Sequence, residues 1–345
     1  MTRPTPKKIL VIRNDKLGDF MLSFPAFSML KSSLPDAQVY ALVPEYTRDM
    51  AESCQWIDHV LIDEHTNANL SSIIHLSQKL RHQQFDAIIT LFSITRVGVA
   101  ALLAGIPYRL APATKLAQIF YNNRLIQRRS RSEKPEYAYN CDLIDKFCSD
   151  FNIVTAKQAN PPYLSYESEF IARLRKSFCE QHNIHDQHKL VFVHAGSGGS
   201  ARNLSLEQYA ELASSLTSRS GHTIVISAGP GEYDNAHKLG KLLTNTSFVV
   251  YESRHGLKQF AEHIQIADLF IGGSTGPVHI AGAMDIPTVA FYPRRRSATS
   301  LRWQTLNSPD KRLSFMPPDE AAEEDMGTIN IQDVALQTSR KFLSG

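Results

Sequence analysis

The turn Arg13-Asn14-Asp15-Lys16-Leu17-Gly18-Asp19 follows the apolar run 9–12 and precedes a helical run from Phe20 to Ser33. A strand-to-helix turn with one glycine and a closing aspartate sets a carboxylate at a helix N-terminus, where the macrodipole favours the ionised form. An ionised Asp19 at the mouth of a cleft can act as a general base. It can equally be an N-cap that satisfies backbone N–H groups. The turn carries neither GxGxxG nor GxxxxGKS/T, which argues against a dinucleotide oxidoreductase and a P-loop nucleotidase.

Three later turns carry residues suited to a nucleotide. Ala195-Gly196-Ser197-Gly198-Gly199-Ser200-Ala201-Arg202 follows the run 190–194. Its small residues let the backbone approach a phosphate, and Arg202 can add a charge-assisted, two-pronged contact. A flexible glycine loop is the competing description. Gly272-Gly273-Ser274-Thr275-Gly276-Pro277-Val278-His279 follows the run 269–271. Ser274 or Thr275 can cap the helix that comes next and Pro277 suits its first turn, so the N–H groups there form an anion site fit for a pyrophosphate, or an ordinary capped helix. Ala228-Gly229-Pro230-Gly231-Glu232 follows the run 223–227, and Glu232 can accept hydrogen bonds from ribose hydroxyls or stand as a surface carboxylate.

The elements that position these turns alternate. Strand-like runs at 9–12, 39–43, 59–62 and 86–91 are separated by helical stretches, which predicts a parallel sheet with covering helices. The pattern stops at Asn160-Pro161-Pro162, and after a helical stretch at 167–182 a second series opens with strands at 190–194, 223–227, 248–251, 268–271 and 288–291. Two doubly wound α/β domains facing each other across a cleft are expected, over residues 1–165 and 166–345, with a last helix that could pack back on the first. In such sheets ligands bind at the carboxyl ends of the strands, which is where all four turns fall.

Composition narrows the class. The 345 residues allow about two domains with cores of their own. Apolar residues make up 43% and charged residues 21%, as in ordinary globular proteins, and the formal charge of +3 is too small to imply nucleic acid. No signal-peptide core fits between Met1 and Asp19, and the longest apolar stretch, 97–107, is shorter than the roughly 18 residues a spanning helix needs. A chain that is not exported, with peripheral membrane contact at most, is expected. Cys54, Cys141, Cys148 and Cys179 form no CxxC pair and are expected to be buried thiols, and the ragged spacing of His182, His185 and His188 suits no metal. Local charge is less even. Arg124, Arg128, Arg129, Arg131 and Lys134 are diluted only by Glu133, and Arg294-Arg295-Arg296 directly follow a strand end.

Four separated blocks resemble glycosyltransferase family 9, the ADP-heptose:lipopolysaccharide heptosyltransferases, over nearly the whole chain. The first runs from Ile9 through Leu17-Gly18-Asp19 to Leu34-Pro35-Asp36-Ala37. The second runs from Val193-His194-Ala195-Gly196-Ser197 through Ala201-Arg202-Asn203-Leu204 to Leu212, the third is Gly229-Pro230-Gly231-Glu232, and the fourth, the most specific, runs from Ala267-Asp268 through Ser274-Thr275-Gly276-Pro277-Val278-His279-Ile280-Ala281 to Ile286-Pro287. Two positions depart from the family's pattern. Ser274 stands where an aspartate usually holds the sugar hydroxyls, and Arg202 where lysine is usual, so the donor sugar stays open.

The resemblance implies a GT-B fold and an inverting, metal-independent transfer of a sugar, foremost heptose from ADP-heptose, to a lipopolysaccharide core or related surface glycan, with no cofactor. It puts the catalytic base on Asp19 and the donor site on Ser197, Arg202, Glu232, Ser274, Thr275, Gly276 and His279. The acceptor side falls on Lys16, Arg124, Arg128, Arg129 and Arg131, which could meet acceptor phosphates or the anionic membrane face. A cytoplasmic enzyme, peripheral at the cytoplasmic face of the inner membrane, is what this implies. The alternatives are a family 9 transferase with a different nucleotide sugar and a non-catalytic sugar-nucleotide-binding protein of the same fold.

Overall fold

Residues 9–12 are apolar at every position because the strand they form is covered on both faces, and all four are fully buried. In the computed structural model, which describes residues 4–64, 69–114, 116–196, 202–217, 221–244 and 246–344, the chain divides into two compact units, Met1–Asn160 and Pro161–Gly345.

The first unit contains β1 (Lys8–Ile12), α1 (Leu17–Met21), α2 (Phe24–Ser33), β2 (Gln38–Val43), α3 (Arg48–Glu52), β3 (His59–Ile62), α4 (Leu70–Gln83), β4 (Ala87–Thr90), α5 (Thr95–Leu103), β5 (Tyr108–Pro112), β6 (Asn123–Leu125) and α6 (Glu136–Asp150). Its sheet has the order β3-β2-β1-β4-β5-β6, with β1 parallel to both β2 and β4. One face is sealed by Leu10, Ile12, Leu42 and Ile88 against Leu76, Leu80, Val97 and Ala100 of α4 and α5. On α4, Asn69 caps the first turn by accepting from the Ser72 N–H at 2.8 Å.

The second unit contains α7 (Ser168–Gln181), β7 (Lys189–His194), α8 (Leu206–Thr217), β8 (His222–Ala228), α9 (Tyr233–Leu242), β9 (Phe248–Glu252), α10 (Gly256–Gln265), β10 (Leu269–Gly273), α11 (Gly276–Ala283), β11 (Thr288–Phe291), β12 (Arg312–Phe315) and α12 (Ile331–Thr338). Its order, β12-β11-β10-β7-β8-β9, is that of the first sheet position for position. In each sheet the winding reverses beside the first strand, between β1 and β4 and between β7 and β10. The loops leaving those strands therefore splay apart and open a crevice at their carboxyl ends.

Several elements differ from the sequence expectation. Strands β5, β6 and β12 are additional; they are short, carry arginine or asparagine, and lie toward the sheet edges, where alternation is weakest. The helical run 20–33 is two helices, because Pro25 has no N–H to bond the Met21 carbonyl and α1 stops short of it. Helix α12 packs on α8, with Ile331, Val334 and Ala335 in the core of its own unit. All four cysteines are buried free thiols. Among the described residues no helix is long and apolar enough to cross a membrane.

Candidate active site

Helix α1 begins at Leu17, one turn earlier than the sequence suggests, so Asp19 lies inside its first turn and Lys16, not Asp19, is the N-cap residue. The capping description of Asp19 is thereby excluded. Its carboxylate instead meets Arg13, the residue that directly follows β1. The Arg13 guanidinium is buried and spends its donors on three carboxylates: Nε to Asp15 at 2.7 Å, Nη1 to Glu136 at 3.0 Å, and Nη2 to Asp19. The dipole argument for a permanently ionised Asp19 yields to burial. Desolvation outweighs the opposing Arg13 charge and, with the like charges of Asp15 and Glu136, pushes the Asp19 carboxyl up to about 7. A carboxyl poised near neutrality can hold or release a proton under working conditions.

Around it, the Tyr46 hydroxyl donates to the Asp15 carbonyl. Asn14 donates to Asp63 at 2.5 Å, and Arg96 of α5 donates to the same carboxylate, which ties the loops after β1 and β3 to α5. The Lys16 side chain is exposed.

The basic segment is less basic in space than in sequence. Arg124 lies in β6 and, like Arg128, is exposed. Arg131 pairs with Glu133 at 3.6 Å and Lys134 with Asp142 at 2.5 Å. Arg129 turns inward, donating from Nη1 to Glu136 at 2.6 Å and from Nη2 to Gln127 at 2.7 Å. Of the five cations of this segment, Arg129, Arg131 and Lys134 already face acidic partners, which leaves a smaller patch for an acceptor than the sequence suggests.

In the second unit, three of the resemblance blocks meet. His194, at the end of β7, has Nε2 3.3 Å from the Glu232 carboxylate and Nδ1 3.0 Å from the Ser227 carbonyl oxygen. Burial lowers the His194 pKa, with Glu232 opposing. Glu232 also accepts from the Gly229 N–H at 3.1 Å. Gly196 leaves room for that carboxylate: a Cβ there would stand 2.1 Å from Oε1. Asn203 joins the second block to the fourth, donating to the Ala195 carbonyl at 3.1 Å and lying where a Cβ on Gly273 would meet it at 2.6 Å. Its Oδ1 accepts from the buried Tyr209 hydroxyl at 2.5 Å.

Helix α11 starts with Thr275 as N-cap and Pro277 in its first turn, and no side chain caps it. The Thr275 hydroxyl turns back to the Gly273 carbonyl at 3.4 Å, so the expected Ser or Thr cap is replaced by uncapped amides. Gly276 is the first residue of α11, and Ser274, half-buried, donates its N–H to the Phe291 carbonyl at 3.2 Å. His279 is buried; its Nδ1 has no hydrogen-bond partner among the described residues, and burial pushes its pKa down to about 4, which leaves a neutral imidazole. Arg202 is well exposed and its Nε lies 3.4 Å from Glu324, a carboxylate that also meets Arg295 at 3.3 Å. Arg294 pairs with Asp319 at 3.3 Å. Ser197 lies outside the described residues.

Sequence reasoning missed Arg13, Glu136, His194 and Asn203. Arg13 carried a signal, a charged residue directly after a fully apolar strand. Glu136 and Asn203 carried none, because their roles depend on partners far along the chain or on backbone geometry.

A family model described as Glycosyltransferase family 9 (heptosyltransferase) matches residues 73–315, more than half of the chain. A Haemophilus influenzae protein assigned by name to the glycosyltransferases, with no substrate specified, is 48% identical over 312 residues, covering 90% of each chain. The solved structure of the family 9 glycosyl transferase from Veillonella parvula aligns with a TM-score of 0.81 at 16% identity over 98% of each chain. That of the E. coli ADP-heptose lps heptosyltransferase II aligns with a TM-score of 0.77 at 18% identity, covering 97% of this chain and 98% of that one. At such identities the two structures speak for the fold alone, and the fold they share with this chain is GT-B.

Proposed function

The chain belongs to glycosyltransferase family 9, and from that premise we propose that it moves heptose from ADP-heptose onto a lipopolysaccharide core or related surface glycan, inverting the anomeric centre. The observation that carries this reading is the half-buried Asp19 carboxyl, held by Arg13 at the carboxyl end of β1 and poised near neutral pH. In the proposed reaction Asp19 takes the proton of an acceptor hydroxyl while that oxygen bonds to the anomeric carbon. The bond from that carbon to the diphosphate breaks on the opposite face, and the electron pair leaves with the nucleoside diphosphate. Its growing negative charge is met by the uncapped amides of α11 and by Arg202, so no divalent ion is needed to supply positive charge. Glu232 holds the nucleoside, and Thr275, Gly276 and His279 line the pyrophosphate and sugar.

Arg124 and Arg128, two exposed cations of the basic segment, meet anionic groups of the acceptor or of the cytoplasmic membrane face, where the enzyme works as a peripheral protein.

Ser274 favours a second reading, a family 9 transferase with another nucleotide sugar, because one hydroxyl replaces a charged double acceptor. A non-catalytic binding protein is disfavoured by Asp19, since binding alone gives no reason to keep a carboxyl that is costly to bury.

The nucleotide decides among these. A ligand that binds only the folded state raises the melting temperature. Stabilisation by ADP above UDP, GDP and CMP is expected. A preference for another of the four selects the second reading, and stabilisation by none removes the transferase and binding readings together.

A further inference from the structure

Arg129 belongs by sequence to an exposed basic run, yet its guanidinium is directed into the first unit. It donates to Glu136 Oε1 at 2.6 Å and to Gln127, and it lies over the Tyr139 ring at 5.6 Å. The same Glu136 oxygen accepts from Arg13 at 3.0 Å, and Arg13 in turn donates to Asp15 and Asp19. Asn140 Oδ1 faces both guanidiniums at 3.4 Å. Asp19, Arg13, Glu136 and Arg129 are therefore links of one chain of ion pairs, with Asp15 as a side branch.

Three carboxylates and two guanidiniums leave this cluster one negative charge in excess when every member is ionised. An uncompensated charge is costly where water is excluded, and a single proton cancels it. Of the three carboxylates, Asp15 and Asp19 are terminal, each paired with Arg13 alone, and Glu136 is shared between two arginines. Glu136 is 1% exposed, whereas Asp15 and Asp19 share the one Arg13 guanidinium, Asp15 on Nε and Asp19 on Nη2, and of these two it is the Asp19 carboxyl that is pushed up to about 7.

We propose that Glu136 and Arg129 are positioning residues that set the basicity of Asp19 through Arg13: Glu136 competes with Asp19 for the Arg13 guanidinium, and Arg129 relieves that competition by pairing with Glu136. The proposal rests on Asp19 as the base. The other polar groups around the cluster are the Tyr46 hydroxyl on the Asp15 carbonyl, the exposed Lys16, the Lys134–Asp142 pair beside α6, and the Asp63–Arg96 pair reached through Asn14. None of these is bonded to the Asp19 carboxylate.

The two residues act with opposite sign. Removing the Glu136 charge gives Arg13 more fully to Asp19 and draws the Asp19 titration down. Removing the Arg129 charge leaves Glu136 dependent on Arg13, doubles the excess negative charge and drives the Asp19 titration up.

The test follows the Asp19 carboxyl resonance by carbon-13 NMR in aspartate-labelled full-length protein, identified by its loss in Asp19→Asn. Relative to wild type, Glu136→Gln lowers the titration midpoint by about one pH unit and Arg129→Gln raises it by about as much, while Arg129→Lys stays near wild type. Unmoved midpoints in both charge-removing variants, or shifts in the same direction, overturn the proposal. Should Glu136→Gln not fold, Arg129→Gln decides alone: a rise supports the coupling and an unmoved midpoint ends it. No donor or acceptor enters this titration, so its failure is distinct from failure of the base assignment, which shows as sugar transfer surviving in Asp19→Asn.

Discussion

Arg13 and Glu136 are 123 positions apart in the chain, and the Arg13 Nη1 lies 3.0 Å from the Glu136 Oε1. The contact closes the first unit on itself, because Arg13 leaves the first strand and Glu136 opens the last helix of that unit. Both side chains are almost wholly buried, at 1% exposure each. A buried ion pair broken on one side costs about 3–5 kcal/mol, so each partner depends on the other. Asp19 hangs from the same guanidinium, and its chemistry is set by a residue that no local pattern would connect to it.

Replacing Asp19 by Asn keeps the shape of the side chain and removes its ability to take a proton. Sugar transfer is expected to fall by about 10²–10⁴, the usual contribution of a general base. The nucleoside diphosphate should bind the variant with unchanged affinity by calorimetry. Unchanged turnover would remove Asp19 from the base role.

The same substitution should have a pH-dependent effect on stability. Folding raises the Asp19 carboxyl from 3.8 to about 7, so the folded protein binds more protons than the unfolded chain between those values. The stability associated with this group is therefore fully present below about pH 4 and is lost as pH rises through about 7. Asn escapes that loss. Asp19→Asn should melt progressively higher than wild type as pH rises from 4 to 8, by an amount worth about 1–3 kcal/mol once its lost bond to Arg13 is discounted. Thermal unfolding at pH 4.5 and pH 8 checks this, and an advantage confined to the acid side contradicts it.

At Gly196 an added Cβ would stand 2.1 Å from the Glu232 carboxylate, so Gly196→Ala must push Glu232 aside or shift the loop. Overpacking of this kind costs about 1–3 kcal/mol. If Glu232 serves the nucleoside, the variant should also lose nucleotide affinity by more than its loss of stability explains. A titration showing wild-type affinity would separate Glu232 from the nucleotide.

Arg202 reaches into solvent and its contact with Glu324 is long, at 3.4 Å, so little is lost in releasing it to a phosphate. Arg202→Ala should weaken nucleoside diphosphate binding about tenfold, and the wild-type affinity should fall with added salt. Loss of affinity in the variant without any salt dependence in the wild type would argue against a direct charge contact.

Much of the architecture was readable from local signals. Buried parallel strands must be apolar at consecutive positions, so β1, β2, β7 and β8 stand out against their polar flanks. Their alternation with helices implies two doubly wound sheets. The edge strands β6 and β12 escaped, because a short strand covered on fewer sides needs less apolar sequence. The glycines of the turns after β7 and β10 were visible for a related reason: Glu232 against Gly196 and Asn203 against Gly273 leave no room for a Cβ, and that restriction is written directly into residue type.

What the sequence by itself determined is the set of turns at the strand ends, the residues in them, and the family to which their pattern is similar. Only the tertiary structure decided which charges meet. It took Arg129 out of the basic segment and gave it to Glu136, put Asp19 inside a helical turn rather than on its cap, and joined His194 to Glu232 and Asn203 to the Gly273 turn. The physical reason is range. Strand and turn preferences act over a few neighbouring residues, whereas a buried charge is satisfied by whichever partner the folded chain brings within about 3 Å, regardless of its place in the sequence.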